Sequence, residues 1–316
     1  MKKINEKFNI WEEKYRPQVI EDLILPEEYK KQFKEIVKQE MLPNMLFVSS
    51  IPGTGKTSLV KCIINETDPS VKWINASQNN NVSTVRNEIV GFASTISAEG
   101  KKKLIVLDEA DNLSTSSAGT AGAQDILRGV IEQYSQNVRF ILTANYKDRF
   151  ITPLLSRLKV YDFDEIFMTH KKELAKQMYQ RLIFICENEK IEYKKEDLQE
   201  LIKTHYPSMR NMIVALQQNI FDNKLILKNK KVDTIYDELF QATLQKDFEK
   251  VRQLTLEASN PSGFYTWFFK HKFPLINDNF KIELAIKLAY YQELDRNARN
   301  KAITLTGFLS EIMQKV

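Results

Sequence analysis

Residues 45–57 read MLFVSSIPGTGKT, and this stretch constrains the chain more than any other. Met45 to Val48 form an apolar run that enters a Ser/Pro/Gly turn. The turn ends in Gly55-Lys56-Thr57, and the helix-compatible SLVKCIINE follows. A strand passing through a glycine turn into a helix leaves backbone N–H groups and a helix N-terminus free to surround a phosphate chain. Gly53 and Gly55 let the backbone approach anionic oxygens without an intervening Cβ. Lys56 offers a point charge for β- and γ-phosphates, and the Thr57 hydroxyl is placed to ligate Mg²⁺. The full pattern G-x-x-x-x-G-K-[ST] has glycine where this chain has Ser50, so the loop's opening turn departs from it. A Gly-Thr-Gly turn without a ligand is the competing reading.

With 316 residues, the chain exceeds one small core, so two or three domains are expected. Its longest apolar runs fall short of the ~20 residues a membrane span needs, and its N-terminal segment carries lysines without an apolar stretch behind them, so neither a membrane partner nor a signal peptide is expected. Two cysteines, Cys62 and Cys186, sit in apolar helical contexts, which fits buried thiols in a reducing, cytoplasmic compartment. These and three scattered histidines form no metal-ligand spacing. A net charge of +5 permits a polyanionic partner without requiring one.

Further apolar runs follow at intervals: Trp73 to Ala76, Leu104 to Leu107, Phe140 to Thr143 and Val160 to Phe163, each separated by helical patterning. Apolar strands alternating with helices predict a parallel sheet covered on both faces. After about residue 165 the strand signal stops, and the rest reads as helices, with Pro207 a break and Lys228-Asn229-Lys230-Lys231 a charged linker. The fold expected is α/β followed by all-α. An α/β nucleotide-binding domain spans 1–165, a small helical domain 166–229, and a second helical domain 230–316. The aromatic cluster Phe264, Tyr265, Trp267, Phe268, Phe269 reads as packing.

Hydrolysis of a nucleoside triphosphate needs a phosphate cradle, a metal, an activated water and positive charge at the transition state. Asp108 ends an apolar strand, where a carboxylate beside the phosphate loop holds Mg²⁺ directly or through water. Glu109, next to it, can polarise the attacking water as general base. The alternative is a pair of solvated acids after a strand. Asn145 ends another strand on the edge where open α/β sheets bind ligands. An amide there orients a water or touches the γ-phosphate, unless it only forms a turn.

Together these motifs resemble an AAA+ ATPase, and within that class a clamp-loader subunit of the large, ATP-hydrolysing kind found in T4-like bacteriophages. Lys14-Tyr15-Arg16-Pro17 resembles the family's N-terminal segment that lies against adenine, Asp108-Glu109-Ala110-Asp111 its metal-binding box, and Asn145 its first sensor. Ser156-Arg157-Leu158 resembles its Ser-Arg-Cys motif, with leucine replacing cysteine. The resemblance implies that Arg157 is an arginine finger acting in trans on a neighbour's ATP; read alone, it is a surface arginine at a helix end. Pro207-Ser208-Met209-Arg210 resembles the motif of the family's helical lid, in which an arginine contacts its own subunit's phosphates. The nucleotide set implied is Glu12, Glu13, Lys14, Tyr15, Arg16, Pro17, Ile24, Gly53, Thr54, Gly55, Lys56, Thr57, Ser58 and Arg210, with ATP and Mg²⁺ as cofactors. The last domain becomes an oligomerising collar. The partners implied are copies of the chain with one smaller subunit in a 4:1 hetero-pentamer, a sliding clamp and primer–template DNA.

Two polar stretches open helices and offer free N–H groups for phosphate without reading bases. SQNNNVSTVR supplies Ser83, Thr84 and Arg86; STSSAGTAGAQ leads into Gln124 and Arg128. Flexible loops are the bland alternative. Phe92 and Ile96, on the helix end the resemblance points toward the clamp, are candidate clamp contacts, although core packing explains an apolar face equally well. Two other functions compete: a non-hydrolysing AAA+ subunit that only completes a ring, and another AAA+ motor such as a helicase loader.

Overall fold

Met45, Leu46, Phe47 and Val48 are all buried, which a strand achieves only when both of its faces are covered. The computed structural model describes residues 9–39, 42–78, 82, 85–95, 100–115, 121–227, 230–258, 260–276 and 278–315. It divides into two compact units, Met1–Ile226 and Leu227–Val316.

The first unit opens with helices α1 (Trp11–Lys14) and α2 (Glu27–Lys38), strand β1 (Met45–Val48), helix α3 (Lys56–Thr67) and strand β2 (Ser70–Asn75). A π-helical turn, Val85–Ile89, runs into α4 (Val90–Ser94). Then come β3 (Lys103–Asp108), α5 (Ala123–Gln133), β4 (Val138–Ala144), α6 (Thr152–Leu155) and β5 (Lys159–Asp162). The five strands form one sheet in the order β2-β3-β4-β1-β5, every pair parallel. Register brings their ends to one edge: Val48 pairs with Ala144 and Asp162, and Asn75 with Asp108. The loops that follow β1, β3 and β4 therefore emerge together, on the edge where open α/β sheets hold ligands.

Period-two alternation sorts the strand side chains. Leu46, Val48, Ile105, Leu107, Phe140 and Leu142 join one buried cluster with Leu127 and Ile131 of α5. On the opposite face Phe47 meets Phe33 of α2 at 5.9 Å between ring centroids, and Tyr161 of β5 at 5.6 Å. The expected fifth strand ends one residue early. The Asp162 carboxylate accepts the N–H groups of Asp164 and Glu165 at 3.0 and 3.3 Å, a helix cap that makes Phe163 the first residue of α7 (Phe163–Thr169).

Four helices continue the same unit: α7, α8 (Lys171–Asn188), α9 (Lys195–His205) and α10 (Met209–Gln218). The expectation that strands stop after 165 needs correction. A hairpin, β6 (Ile220–Phe221) and β7 (Lys224–Leu225), pairs antiparallel. Its turn residues Asp222 and Asn223 both have positive φ, +48° and +58°, the conformation a two-residue hairpin requires. Two-residue strands are too short to show an alternating pattern.

The second unit is helical: α11 (Lys230–Leu244), α12 (Phe248–Glu257), α13 (Gly263–His271), α14 (Asp278–Asn297) and α15 (Lys301–Lys315). Four aromatics of α13, Phe264, Tyr265, Trp267 and Phe268, are buried with Tyr236, Leu305 and Phe308. The fifth, Phe269, is 53% exposed. No described helix is long and apolar enough to cross a membrane.

Candidate nucleotide-binding site

Gly53 and Gly55 adopt φ of +82° and +105°, where a side chain would be strained. Ser50 is not among the positive-φ residues, which explains why a residue other than glycine is accommodated there. A Cβ added at Gly55 would meet nothing within 4 Å, so open space lies over the loop. Lys56, the first residue of α3, is 9% exposed, and its ammonium donates to the Ser49 carbonyl at 3.0 Å and to Asn145 Oδ1 at 3.2 Å. Burial pulls the Lys56 pKa below the usual lysine range, against the opposing charges of Asp164, Asp111 and Asp108.

The sequence places Asp108 beside the phosphate loop; in the sheet, β4 intervenes between β3 and β1. Thr143 of β4 spans the gap. Its hydroxyl donates to Asp108 Oδ1 and accepts the Glu109 N–H at 3.2 Å. Thr57 Oγ1 lies 3.3 Å from the same carboxylate oxygen. Two hard oxygen donors converging at the mouth of a phosphate loop suit Mg²⁺, which takes few protein ligands and completes its shell with phosphate and water. Among the described residues no group of three or more His, Cys, Asp or Glu could hold a metal alone. Glu109 has φ +56°, an uncommon conformation for a residue with a side chain. Asp111 is buried, and its Oδ1 accepts the Asn145 N–H at 3.2 Å, fixing the strand end from which the amide projects.

Gly53, Gly55, Lys56, Thr57, Asp108, Glu109, Thr143 and Asn145 line one cleft of about 400 Å³. Its other end is built by the N-terminal segment. Glu12, Tyr15, Arg16, Pro17 and Ile24 line it, whereas Glu13 and Lys14 do not. Glu13 instead pairs with Arg16, whose guanidinium also donates to Ser58 Oγ at 3.3 Å. Lys14 pairs with Glu189 at 2.5 Å. Tyr15 is buried, and its hydroxyl donates to Glu189 and accepts from Asn188 at 2.7 Å. Arg181 of α8 donates to the Tyr15 carbonyl at 2.7 Å and also lines the cleft. Arg181 and Thr143 are site residues beyond those expected from the sequence. A polar residue at the end of an apolar strand was the available signal for Thr143; the helix pattern gave none for Arg181.

Arg210, in the first turn of α10, lines the cleft. Its N–H donates to the Gly53 carbonyl at 3.4 Å. Ser208 caps α10, accepting the Asn211 N–H at 3.3 Å, while its hydroxyl donates to the Pro52 carbonyl at 2.8 Å. The phosphate loop and the start of α10 are thus bonded directly. Arg157 stands apart: it does not line the cleft, and it pairs with Glu132 of α5.

Gln124 requires a correction as a DNA contact. It is fully buried, its amide donates to the carbonyls of Leu113 and Arg149 at 3.2 and 3.0 Å, and its Oε1 accepts the Ile151 N–H at 3.0 Å. Its hydrogen bonds staple three segments together and leave nothing for a phosphate. Arg128, one turn on, is half-buried with its Nε unpartnered. Arg86 lies in the π-helical turn, and Ser83, Thr84 and Ile96 fall outside the described residues. Phe92 packs partly against the sheet's core, with the Lys103 ammonium 4.9 Å from its ring centroid.

Comparison with known proteins agrees with this geometry. Residues 46–168 match the ATPase family associated with various cellular activities (AAA). Residues 170–227, which hold α8 to α10 and the hairpin, match the AAA+ ATPase lid domain of the sliding-clamp-loader large subunit. The chain is 34% identical over 272 residues to the sliding-clamp-loader large subunit of Escherichia phage RB69, covering 84% of this chain and 82% of that one. It is 33% identical over 270 residues to the corresponding subunit of Enterobacteria phage T4, with the same coverage. Similarity extends to a replication factor C small subunit of Pyrobaculum aerophilum, 32% identical over 324 residues, 96% of this chain and 93% of the relative. The chain belongs to the AAA+ ATPase family of sliding-clamp-loader subunits.

Proposed function

We propose that this chain is the ATP-hydrolysing subunit of a sliding-clamp loader, which opens a polymerase processivity clamp and places it on primer–template DNA. One observation carries the reading. Arg16, Lys56, Thr57, Asp108, Glu109, Asn145 and Arg210 come from separate segments to a single cleft, and Arg157 does not. A site complete except for an arginine finger, in a chain that carries such an arginine elsewhere, hydrolyses ATP only beside a neighbour.

In this reading Tyr15, Pro17 and Ile24 bind the base, Gly53 to Thr57 cradle the phosphates, and Arg210 reports their presence to the lid. Thr57 and Asp108 would hold Mg²⁺, which neutralises charge on the phosphate oxygens. Glu109 accepts a proton from the attacking water, and Asn145 orients that water. Arg157 acts in trans, so assembly gates the chemistry. Four copies would join one smaller subunit through the 227–316 unit. There α14 exposes Ile282, Ile286 and Tyr290 at four-residue intervals, an apolar stripe suited to helix contact. DNA would be held through phosphates by Ser83, Thr84, Arg86 and Arg128, and the clamp by Phe92 and Ile96. The intact Lys56, Thr57, Asp108 and Glu109 set argues against a purely structural subunit.

The test is steady-state ATP hydrolysis by the chain with its smaller subunit: alone, with primed DNA, and with primed DNA plus clamp. Stepwise stimulation is expected. A rate indifferent to both would overturn the loader reading and leave an ATPase with another substrate.

A further inference from the structure

The phosphate loop begins at Ser49 and Ser50, and both are bound by one carboxylate from another segment. Asp164 Oδ1 accepts the Ser49 hydroxyl at 2.7 Å, and Asp164 Oδ2 accepts the Ser50 N–H at 2.8 Å. Asp164 lies in the first turn of α7, two residues past β5, and β5 is the sheet neighbour of β1. Ser49 is fully buried, and its carbonyl is the one on which the Lys56 ammonium rests at 3.0 Å. The contacts therefore run in series from Asp164 through Ser49 to Lys56. Ser50 occupies the place where the phosphate-loop pattern has glycine, and its N–H turns to Asp164. Bonds to an ionised acceptor are about twice as strong as neutral ones, so this is a firm anchor. Burial pushes the Asp164 pKa up, but the bonds from Ser50 and Ser49 and the Lys56 charge outweigh it and hold the carboxyl below its ordinary range.

We infer that Asp164 is a positioning residue for the triphosphate, fixing the opening of the phosphate loop and, through Ser49, the seat of Lys56. An anion beside a polyphosphate site is otherwise unfavourable. If its charge dominated, removing it would tighten ATP binding; if its bonds dominate, removing it weakens binding. The bidentate geometry selects the second outcome.

The inference rests on the nucleotide site described above, and equilibrium binding to the isolated chain separates the two. The probe is an ATP analogue carrying a fluorescent N-methylanthraniloyl group on its ribose, titrated at fixed Mg²⁺, with adenosine as a competitor. Asp164→Ala should weaken the analogue about 10-fold and leave adenosine competition unchanged, because the base end of the cleft does not touch the anchor. A general loss of folding would weaken both ligands. Asp164→Asn, which keeps a single acceptor, should fall between. Ser49→Ala should weaken binding as well, and Ser49→Ala with Asp164→Ala should lose less than the sum of the two single losses, because both singles remove the Ser49–Asp164 bond while Ser49→Ala also removes the acceptor of the Ile51 N–H at 3.3 Å. Unchanged or tighter analogue binding in Asp164→Ala, equal loss for both ligands, or an additive double variant would overturn the inference. A wild-type chain that fails to bind the analogue would instead refute the nucleotide site.

Discussion

Replacing Gly53 by alanine should part the lid from the phosphate loop before any nucleotide is present. The new Cβ would stand 2.5 Å from Ser208 Oγ and 2.7 Å from Arg210 Cβ, so the start of α10 must retreat. Holding φ at +82° with a side chain adds strain of ~1–2 kcal/mol. Retreat loosens two hydrogen bonds, Ser208 Oγ to the Pro52 carbonyl and Arg210 N–H to the Gly53 carbonyl. The strain is the same with the lid closed or open, so the lid's balance shifts by the two neutral bonds, ~1 kcal/mol each and ~2 kcal/mol together. That shift corresponds to roughly 30-fold in the closed-to-open ratio of the lid. Amide hydrogen exchange across α10 in nucleotide-free protein reads it directly. Gly55→Ala is the control: its φ of +105° carries similar backbone strain, but its Cβ meets nothing within 4 Å. Faster exchange in α10 for Gly53→Ala alone is expected. Equal exchange in wild type and Gly53→Ala, or equal acceleration by both variants, would refute the reasoning.

Arg157→Ala should lower hydrolysis in the assembled complex by about 10³-fold or more while its own nucleotide affinity stays within about twofold of wild type, since the arginine acts on the neighbour; a fluorescent-analogue titration beside a phosphate-release assay checks both. Glu109→Gln should cut turnover by ~10²–10⁴-fold yet retain the analogue, and a variant with near-normal turnover would remove Glu109 as the base. Burial pushes the Cys62 thiol to about 12 and the Cys186 thiol to about 11, so neither should react with a thiol-specific disulfide reagent until the chain unfolds. The folded chain holds these two protons more tightly than the unfolded chain. Their contribution is therefore present below about pH 8.5 and lost as pH rises toward the folded values, a slope that urea midpoints across alkaline pH would expose.

The centre of the sheet was legible because β1, β3 and β4 are buried on both faces and so read as nearly unbroken apolar runs, whereas the edge strands β2 and β5 are only partly buried; β1 follows Met45 to Val48 residue for residue. The phosphate loop, Asp108, Glu109 and Asn145 were legible for a related reason: each directly follows or ends such a run, and parallel register gathers those ends. What escaped were contacts between segments distant in sequence. Gln124 looks like a polar residue opening a helix, and nothing in its neighbours foretells that Leu113, Arg149 and Ile151 will consume its amide. Gly53 reads as a phosphate-loop glycine, yet it also lacks a side chain because Ser208 and Arg210 occupy that space. Asp164 follows a helix cap and passes for a solvated first-turn acid until β5 is seen beside β1. The β6–β7 hairpin lacked any periodicity to read.

In the proposed function, ATP use by this chain is coupled to closing a ring around DNA. Its most direct test is retention of a fluorescently labelled sliding clamp, from the same replication system, on circular primed DNA after incubation with the chain, its smaller subunit and ATP. Clamp should be retained after high-salt washing with the wild-type chain, and little should be retained with Arg157→Ala or without ATP. Brisk ATP hydrolysis with no clamp left on the DNA, or equal retention with Arg157→Ala, would contradict it.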